Sequence, residues 1–129
     1  MSSVPGPKIT TILVVDDDPA SVMTLTWLLQ TRDYHCIDAT SHEAALNAFR
    51  DPSIDLVITD YMIADRTGTD LAIAIKQLRN VPVILLTGYP GPIPLASSVD
   101  LFLAKPQAPE DLLSFIAALL TKWSTAEAI

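Results

Sequence analysis

Five side chains in this sequence carry compatible chemistry at related positions. Asp16 and Asp17 follow an apolar run at 12–15, Asp60 ends one at 56–59, Thr87 follows 83–86, and Lys105 with Pro106 follows 101–104. Crowded carboxylates disfavour one another's ionised form, and a divalent cation relieves that repulsion. All-oxygen ligation selects Mg2+ or a similarly hard ion, which can also bind the oxygens of a phosphoryl group. Asp60 stands alone at the end of its run and is the candidate nucleophile. Lys105 can neutralise phosphoryl oxygens, and Thr87 can donate a hydrogen bond to one of them. Positioning plus electrostatic stabilisation is what phosphoryl transfer requires.

These residues meet only if the runs that precede them lie side by side. The runs have the length and aliphatic content of parallel strands, and a parallel sheet gathers its carboxyl ends along one edge, where ligands bind. Residues 10–15 are predicted as the first strand. A helix follows, which Asp18 can cap and in which Pro19 fits the first position; Val22, Met23, Leu25, Leu28 and Leu29 supply its apolar positions until it fades near Arg32 and Asp33. Residues 34–39 form the second strand. Thr40 with Glu43 matches a capping box for a second helix, closed by Asp51 and Pro52. The third strand is 55–59. Arg66, Thr67 and Gly68 make a turn into a third helix at 69–79, with Leu71, Ile75 and Leu78 on one face.

The near-continuous aliphatic run 81–86 reads as a strand covered on both sides. Residues 101–104 are the fifth strand, and Pro109, Glu110 and Asp111 open a last helix whose Leu112, Phe115, Ile116, Leu119 and Trp123 recur at helical spacing. The expected fold is α/β, a doubly wound five-stranded parallel sheet with right-handed crossovers. One stretch departs from the alternation. Between Thr87 and Phe102, Pro90, Pro92 and Pro94 with Gly88 and Gly91 forbid an ordinary helix, so the fourth helix is expected to be short or missing.

The 129 residues suit one domain at 9–124, with an arm at 1–8 and a tail at 125–129. A net charge of −7 offers no basic patch for phosphates, which excludes direct nucleic-acid binding. No apolar run approaches the roughly 20 residues needed to span a bilayer, so no membrane insertion is expected. A single cysteine, Cys36, excludes an internal disulfide and a cysteine-based zinc site, and it points to a cytoplasmic setting. Cys36 lies beside Ile37 and reads as a buried filler.

Taken together, in order and each at a strand end, these motifs resemble the receiver domain of two-component response regulators. The resemblance covers residues 10–124. Residues 12–18 look like the family's acidic first-strand end, and Asp60 matches the phosphorylated aspartate, with Gly68 eight residues on. Thr87 matches the family's hydroxyl position, Lys105 and Pro106 its lysine-proline pair, and Phe102 its aromatic switch position.

The resemblance implies a flavodoxin-like strand order 2-1-3-4-5. It implies Mg2+ held by Asp17 and Asp60, with help from Asp16 and the main-chain carbonyl of Met62. It also implies a cis bond before Pro106, and switching through Thr87 and Phe102. By the same resemblance the chain accepts a phosphoryl group from a sensor histidine kinase or a histidine phosphotransfer protein. It then acts on a downstream protein target or as a phosphate shuttle or sink, and is not an enzyme in the ordinary sense. Ile63 and Ala64 replace the family's common Met-Pro, Gln107 replaces an apolar residue, and the Thr87–Lys105 interval is short. The face that carries output in the family is therefore expected to be altered.

Plainer readings stand beside these. Asp18 reads as a helix cap rather than a ligand. His35 and His42 read as structural or surface residues, Asp65, Arg66 and Asp70 as loop and cap residues, and Trp27 and Trp123 as packing residues. Two other functions remain open: a degenerate receiver used as an interaction scaffold, and a haloacid dehalogenase-type phosphatase. The second would use the Asp-x-Asp spacing of Asp16 and Asp18, but the following Pro19 and Ala20 do not fit its pattern.

Overall fold

The computed structural model describes residues 8–64, 66–94 and 96–127. In chain order its elements are β1 (Thr11–Val15), α1 (Pro19–Gln30), β2 (His35–Ala39), α2 (His42–Ala48), β3 (Ile54–Thr59), β4 (Met62–Ile63), β5 (Arg66–Thr67), α3 (Gly68–Leu78), β6 (Val83–Thr87), β7 (Leu101–Ala104) and α4 (Pro109–Glu127). Five strands pair in the order β2-β1-β3-β6-β7, all parallel, which is the order expected for a flavodoxin-like sheet. The register aligns the carboxyl ends. Val15 lies opposite both Ala39 and Thr59, Thr59 opposite Leu85, and Thr87 opposite Ala104. The residues that follow these positions therefore share one edge.

Alternation along each strand divides the core in two. Ile12, Val14, Leu56, Ile58, Ile84, Leu86 and Leu103 pack with Val22 and Leu29 of α1 and with Leu112, Leu113, Ile116 and Leu119 of α4. Leu13, Val15, Val57 and Val83 face the other way, onto Ala45 and Phe49 near α2 and Leu71, Ala72 and Ile75 of α3. Burying each large aliphatic side chain stabilises the fold by about 1.5–3 kcal/mol, so the sheet is rigid where it must hold the site.

Several sequence expectations need correction. Ser41, not Thr40, caps α2: its backbone is extended and its hydroxyl accepts the Ala44 N–H over 3.0 Å. Glu43 still lies in the first turn, where it suits the helix dipole. Arg66 and Thr67, expected in a turn, are the second arm of a small antiparallel hairpin, β4–β5, while Gly68 opens α3, which Thr67 caps by accepting from Asp70 N. Met23 is 71% exposed and Trp27 69% exposed, because the sheet-facing stripe of α1 runs through Val22 and Leu29 instead. Leu78 and Phe115 are exposed as well. Cys36 is half-buried rather than fully buried. The helix α4 runs on through Glu127, past residue 124 where a tail was expected. Residues 1–7 of the expected arm and 128–129 of the tail lie outside the described residues. The expectation for Asp65 lies outside them too.

No helix occurs among the described residues between β6 and β7. Instead the connection is tied down at its far end. Asp100 Oδ2 accepts from Lys76 Nζ over 2.7 Å and from Val83 N over 2.8 Å, while Lys76 Nζ also donates to the Val81 carbonyl over 2.7 Å. The same ammonium lies 4.6 Å from the ring centroid of Trp123. Lys76 thereby joins α3, the entry to β6, the entry to β7 and α4. No described helix is long and apolar enough to cross a membrane.

Candidate functional site

The first acidic residue is held firmly. Asp16 is 7% exposed, and its N–H continues the sheet by donating to the Ala39 carbonyl over 3.2 Å. Its Oδ1 accepts from Asp18 N over 3.0 Å, and its Oδ2 lies 3.1 Å from Lys105 Nζ. Asp60 sits beside it because its N–H donates to the Val15 carbonyl over 3.0 Å. Asp60 Oδ1 accepts from Tyr61 N over 2.6 Å, and Oδ2 lies 3.4 Å from the same Lys105 ammonium. One lysine thus bridges carboxylates from two strand ends.

Burial pushes the Asp16 carboxyl above its usual range. The Asp18 N–H and the Lys105 ammonium pull it down only in part, and the charge of Asp60 adds to the rise. Burial works against the Lys105 ammonium too. There the hydrogen bond to Asp16 and the charges of Asp60 and Asp16 outweigh it, and the group is held above the usual lysine range. The lysine is therefore a fixed positive charge at neutral pH.

Asp17 points to the hairpin, its Oδ2 accepting from Ala64 N over 3.1 Å. Ala64 adopts a left-handed backbone with φ 54°, which a non-glycine residue adopts at a cost. Asp18 is a cap as expected: Oδ1 accepts from Ala20 N and Oδ2 from the Ser21 hydroxyl. That role takes it out of the acidic cluster. Thr87 is buried at the end of β6; its hydroxyl accepts from Tyr89 N over 3.2 Å and its carbonyl from Lys105 N over 2.9 Å. The Lys105–Pro106 bond is cis. Gln107 donates to the Ala104 carbonyl over 2.8 Å, which occupies its side chain at the loop.

Gly68 follows from the same crowding. Its N–H donates to the Tyr61 carbonyl over 2.5 Å, and a Cβ would collide with the Asp60 carbonyl oxygen and come within 2.9 Å of Leu85 Cδ1. Only glycine lets α3 begin this close to the loop after Asp60. Phe102, opposite Leu85 on β7, is 41% exposed and so is not a core residue in this conformation. Met62 lies in β4 and is 44% exposed. Beside the charged groups a cavity of about 440 Å³ opens between α1 and α4, lined by Asp16, Asp60, Lys105, Leu25, Leu28 and Leu112.

The sequence expectations therefore meet at Asp16, Asp60 and Lys105, with Thr87 bonded to the Lys105 backbone and Asp17 turned to the hairpin. Among the described residues no group of three acidic, histidine or cysteine side chains is gathered as a ready metal cage. Sequence reasoning passed over Tyr61 as part of the site. Its signal was available, since it directly follows Asp60 and pairs with Tyr89, the second residue after Thr87.

Comparison with known proteins agrees with this geometry. Residues 12–117 match the model of the response regulator receiver domain. The chain is 34% identical over 119 residues to the transcriptional regulatory protein CpxR of Escherichia coli K12, covering 88% of this chain and 51% of that protein. It is 30% identical over 118 residues to the two-component response regulator PprB of Pseudomonas aeruginosa, covering 84% of this chain and 43% of that protein. It spans about half the length of these curated relatives. A crystal structure of a response regulator receiver domain protein from Clostridium thermocellum superposes with a TM-score of 0.83 at 26% identity, covering 92% of this chain and 99% of that one. With the strand order, the acidic edge and the bridging lysine in place, this chain belongs to the response regulator receiver domain family.

Proposed function

We propose that this chain accepts a phosphoryl group on Asp60 from a sensor histidine kinase or a histidine phosphotransfer protein, in a Mg2+-dependent reaction in the cytoplasm. The phosphorylated form signals through contacts with a downstream protein or passes the group on. The observation that carries this reading is the shared Lys105 ammonium, within 3.4 Å of carboxylates from two strands at the edge where Thr87 also ends.

The donor set fits a hard cation in its chemistry, since Asp16, Asp17, Asp60 and the Met62 carbonyl offer only oxygen. Asp16 and Asp60 already converge, and Asp17 uses Oδ2 toward Ala64 N. When bound, Mg2+ supplies positive charge to the phosphoryl oxygens and to the crowded carboxylates. The chain's own groups do the rest. An Asp60 oxygen attacks phosphorus in line, and the bond to the donor's imidazole nitrogen breaks with its electron pair leaving on nitrogen. The Tyr61 N–H orients the Asp60 carboxyl. Lys105 neutralises phosphoryl oxygens, and Thr87 donates a hydrogen bond to one. Phe102, half out of the sheet, responds to the position of Thr87. The aspartyl phosphate is later hydrolysed.

Intact mass spectrometry after incubation with acetyl phosphate tests this reading. One added phosphate with Mg2+ and none after chelation is expected. An unmodified chain in both conditions, with Mg2+ binding shown separately by titration, would favour a scaffold role instead.

A further inference from the structure

Two aromatic side chains that the proposed chemistry leaves unused meet at the ends of β3 and β6. Tyr61 donates its N–H to Asp60 Oδ1 over 2.6 Å, and Tyr89 donates its N–H to Thr87 Oγ1 over 3.2 Å. Their ring centroids are 5.0 Å apart at an interplanar angle of 44°, within the range where aromatic pairs attract. Gly91 lies against the second ring. A Cβ at 91 would stand 2.7 Å from Tyr89 Cε2 and Oη and 2.8 Å from Cζ. No side chain fits there unless the ring moves, and at 41% exposure Tyr89 has room to move. The ring of Tyr89 is thus held by Tyr61 and by the bare backbone of Gly91. Pro90, Pro92 and Pro94 lack N–H groups, so this stretch cannot anchor itself by helical hydrogen bonds.

We propose that Tyr61, Tyr89 and Gly91 form a clasp that positions the Thr87 hydroxyl for an incoming phosphoryl group. The inference rests on the phospho-acceptor role of Asp60. Because Thr87 Oγ1 accepts the Tyr89 N–H, its own proton is directed away from that bond and is available to a phosphoryl oxygen. Fixing that rotamer beforehand removes an ordering step from the reaction, and orientation is a leading part of phosphoryl transfer. With acetyl phosphate, an Asp60 oxygen bonds to phosphorus as the bond from phosphorus to the acetyl oxygen breaks. The electron pair leaves as acetate, and Thr87 keeps its proton. Tyr89 touches none of the reacting atoms in this scheme and is a positioning residue.

The test measures the rate of phosphorylation by acetyl phosphate with Mg2+, by intact mass, beside melting temperatures. Tyr89→Ala and Gly91→Ala are each expected to slow phosphorylation about three- to tenfold with little change in melting temperature. Tyr89→Phe, which keeps the ring pair, is expected to restore the wild-type rate. Adding Gly91→Ala to Tyr89→Ala is expected to cost nothing further, since there is no ring left to displace. Unchanged rates in both single variants, or an equal slowing by Gly91→Ala in both backgrounds, would overturn the clasp while leaving Asp60 as acceptor. A wild-type chain that takes no phosphate would overturn both readings together.

Discussion

The ammonium of Lys105 lies 3.1 Å from Oδ2 of Asp16, joining residues 89 apart in sequence at one edge of the sheet. The contact ties the end of β1 to the end of β7, and β3 and β6 lie between them. It holds only because each strand is in register. Burial outweighs this ion pair and leaves the Asp16 carboxyl above its usual range, so the ionised site is a cost to the fold.

That cost sets a pH dependence. A carboxyl raised in the folded state binds its proton more tightly than in the unfolded chain, so stability falls as pH rises from its ordinary value of 3.8 through the raised one. Asp16→Asn keeps an oxygen for the Asp18 N–H and removes the charge. In metal-free buffer at neutral pH it is expected to melt above wild type, and the difference should vanish toward acid. Melting curves across pH check this; an Asn variant that melts lower at neutral pH would show that the Lys105 pairing outweighs burial.

Two backbone positions make opposite demands. Gly68→Ala drives a Cβ into the Asp60 carbonyl, a backbone atom that cannot yield, and is expected to lose about 3 kcal/mol. Ala64 already sits at φ 54°, so Ala64→Gly is expected to be neutral or stabilising by up to about 1 kcal/mol. Ala64→Val, branched at the same φ, is expected to lose about 2 kcal/mol. Urea unfolding of the three variants measures all of these.

Helix α1 offers a contrast between neighbours. Leu29 is fully buried, and Leu29→Ala is expected to lose about 2–5 kcal/mol. Trp27, 69% exposed, is expected to lose less than about 1 kcal/mol on change to Ala. Denaturant midpoints for the pair decide whether α1 presents its tryptophan to solvent.

Burial, helped by the charge of Asp38, pushes the Cys36 thiol up to about 11 from an ordinary 9.0. The reactive thiolate is then scarcer at mildly alkaline pH by about 100-fold than for a free cysteine. Iodoacetamide should label the folded chain slowly, with the rate still rising above pH 9, and should label the urea-unfolded chain quickly. Equal rates in both states would place the thiol in open solvent.

The fold was largely legible because its strands are short aliphatic runs ending in polar residues; a run such as 83–86 is too short for a helix and is buried on both faces of the sheet. The gap after Thr87 was legible from Pro90, Pro92 and Pro94, which remove the donors a helix needs. Exposure on helices was less legible. Met23, Trp27, Leu78 and Phe115 are apolar, and apolar residues on a helix do not by themselves say which stripe faces the sheet. The α2 cap falls one residue later than the capping-box spacing of Thr40 and Glu43 suggests, because it is Ser41 whose extended backbone lets its hydroxyl accept the Ala44 N–H. At the site, residue types gave Asp16, Asp60, Thr87 and Lys105. The turn of Asp17 to Ala64 and the pairing of Tyr61 with Tyr89 depend on loop geometry that no local pattern encodes.

The most direct test of the account is to locate the phosphate. After treatment with acetyl phosphate and Mg2+, borohydride reduction converts an acyl phosphate on aspartate to homoserine, which peptide sequencing reads by position. The expected result is homoserine at position 60 alone, with no phosphate taken up by Asp60→Asn and its fold retained by circular dichroism. Label at Asp16 or Asp17 in the wild type, or full phosphorylation of Asp60→Asn, would contradict the assignment of Asp60 as the acceptor.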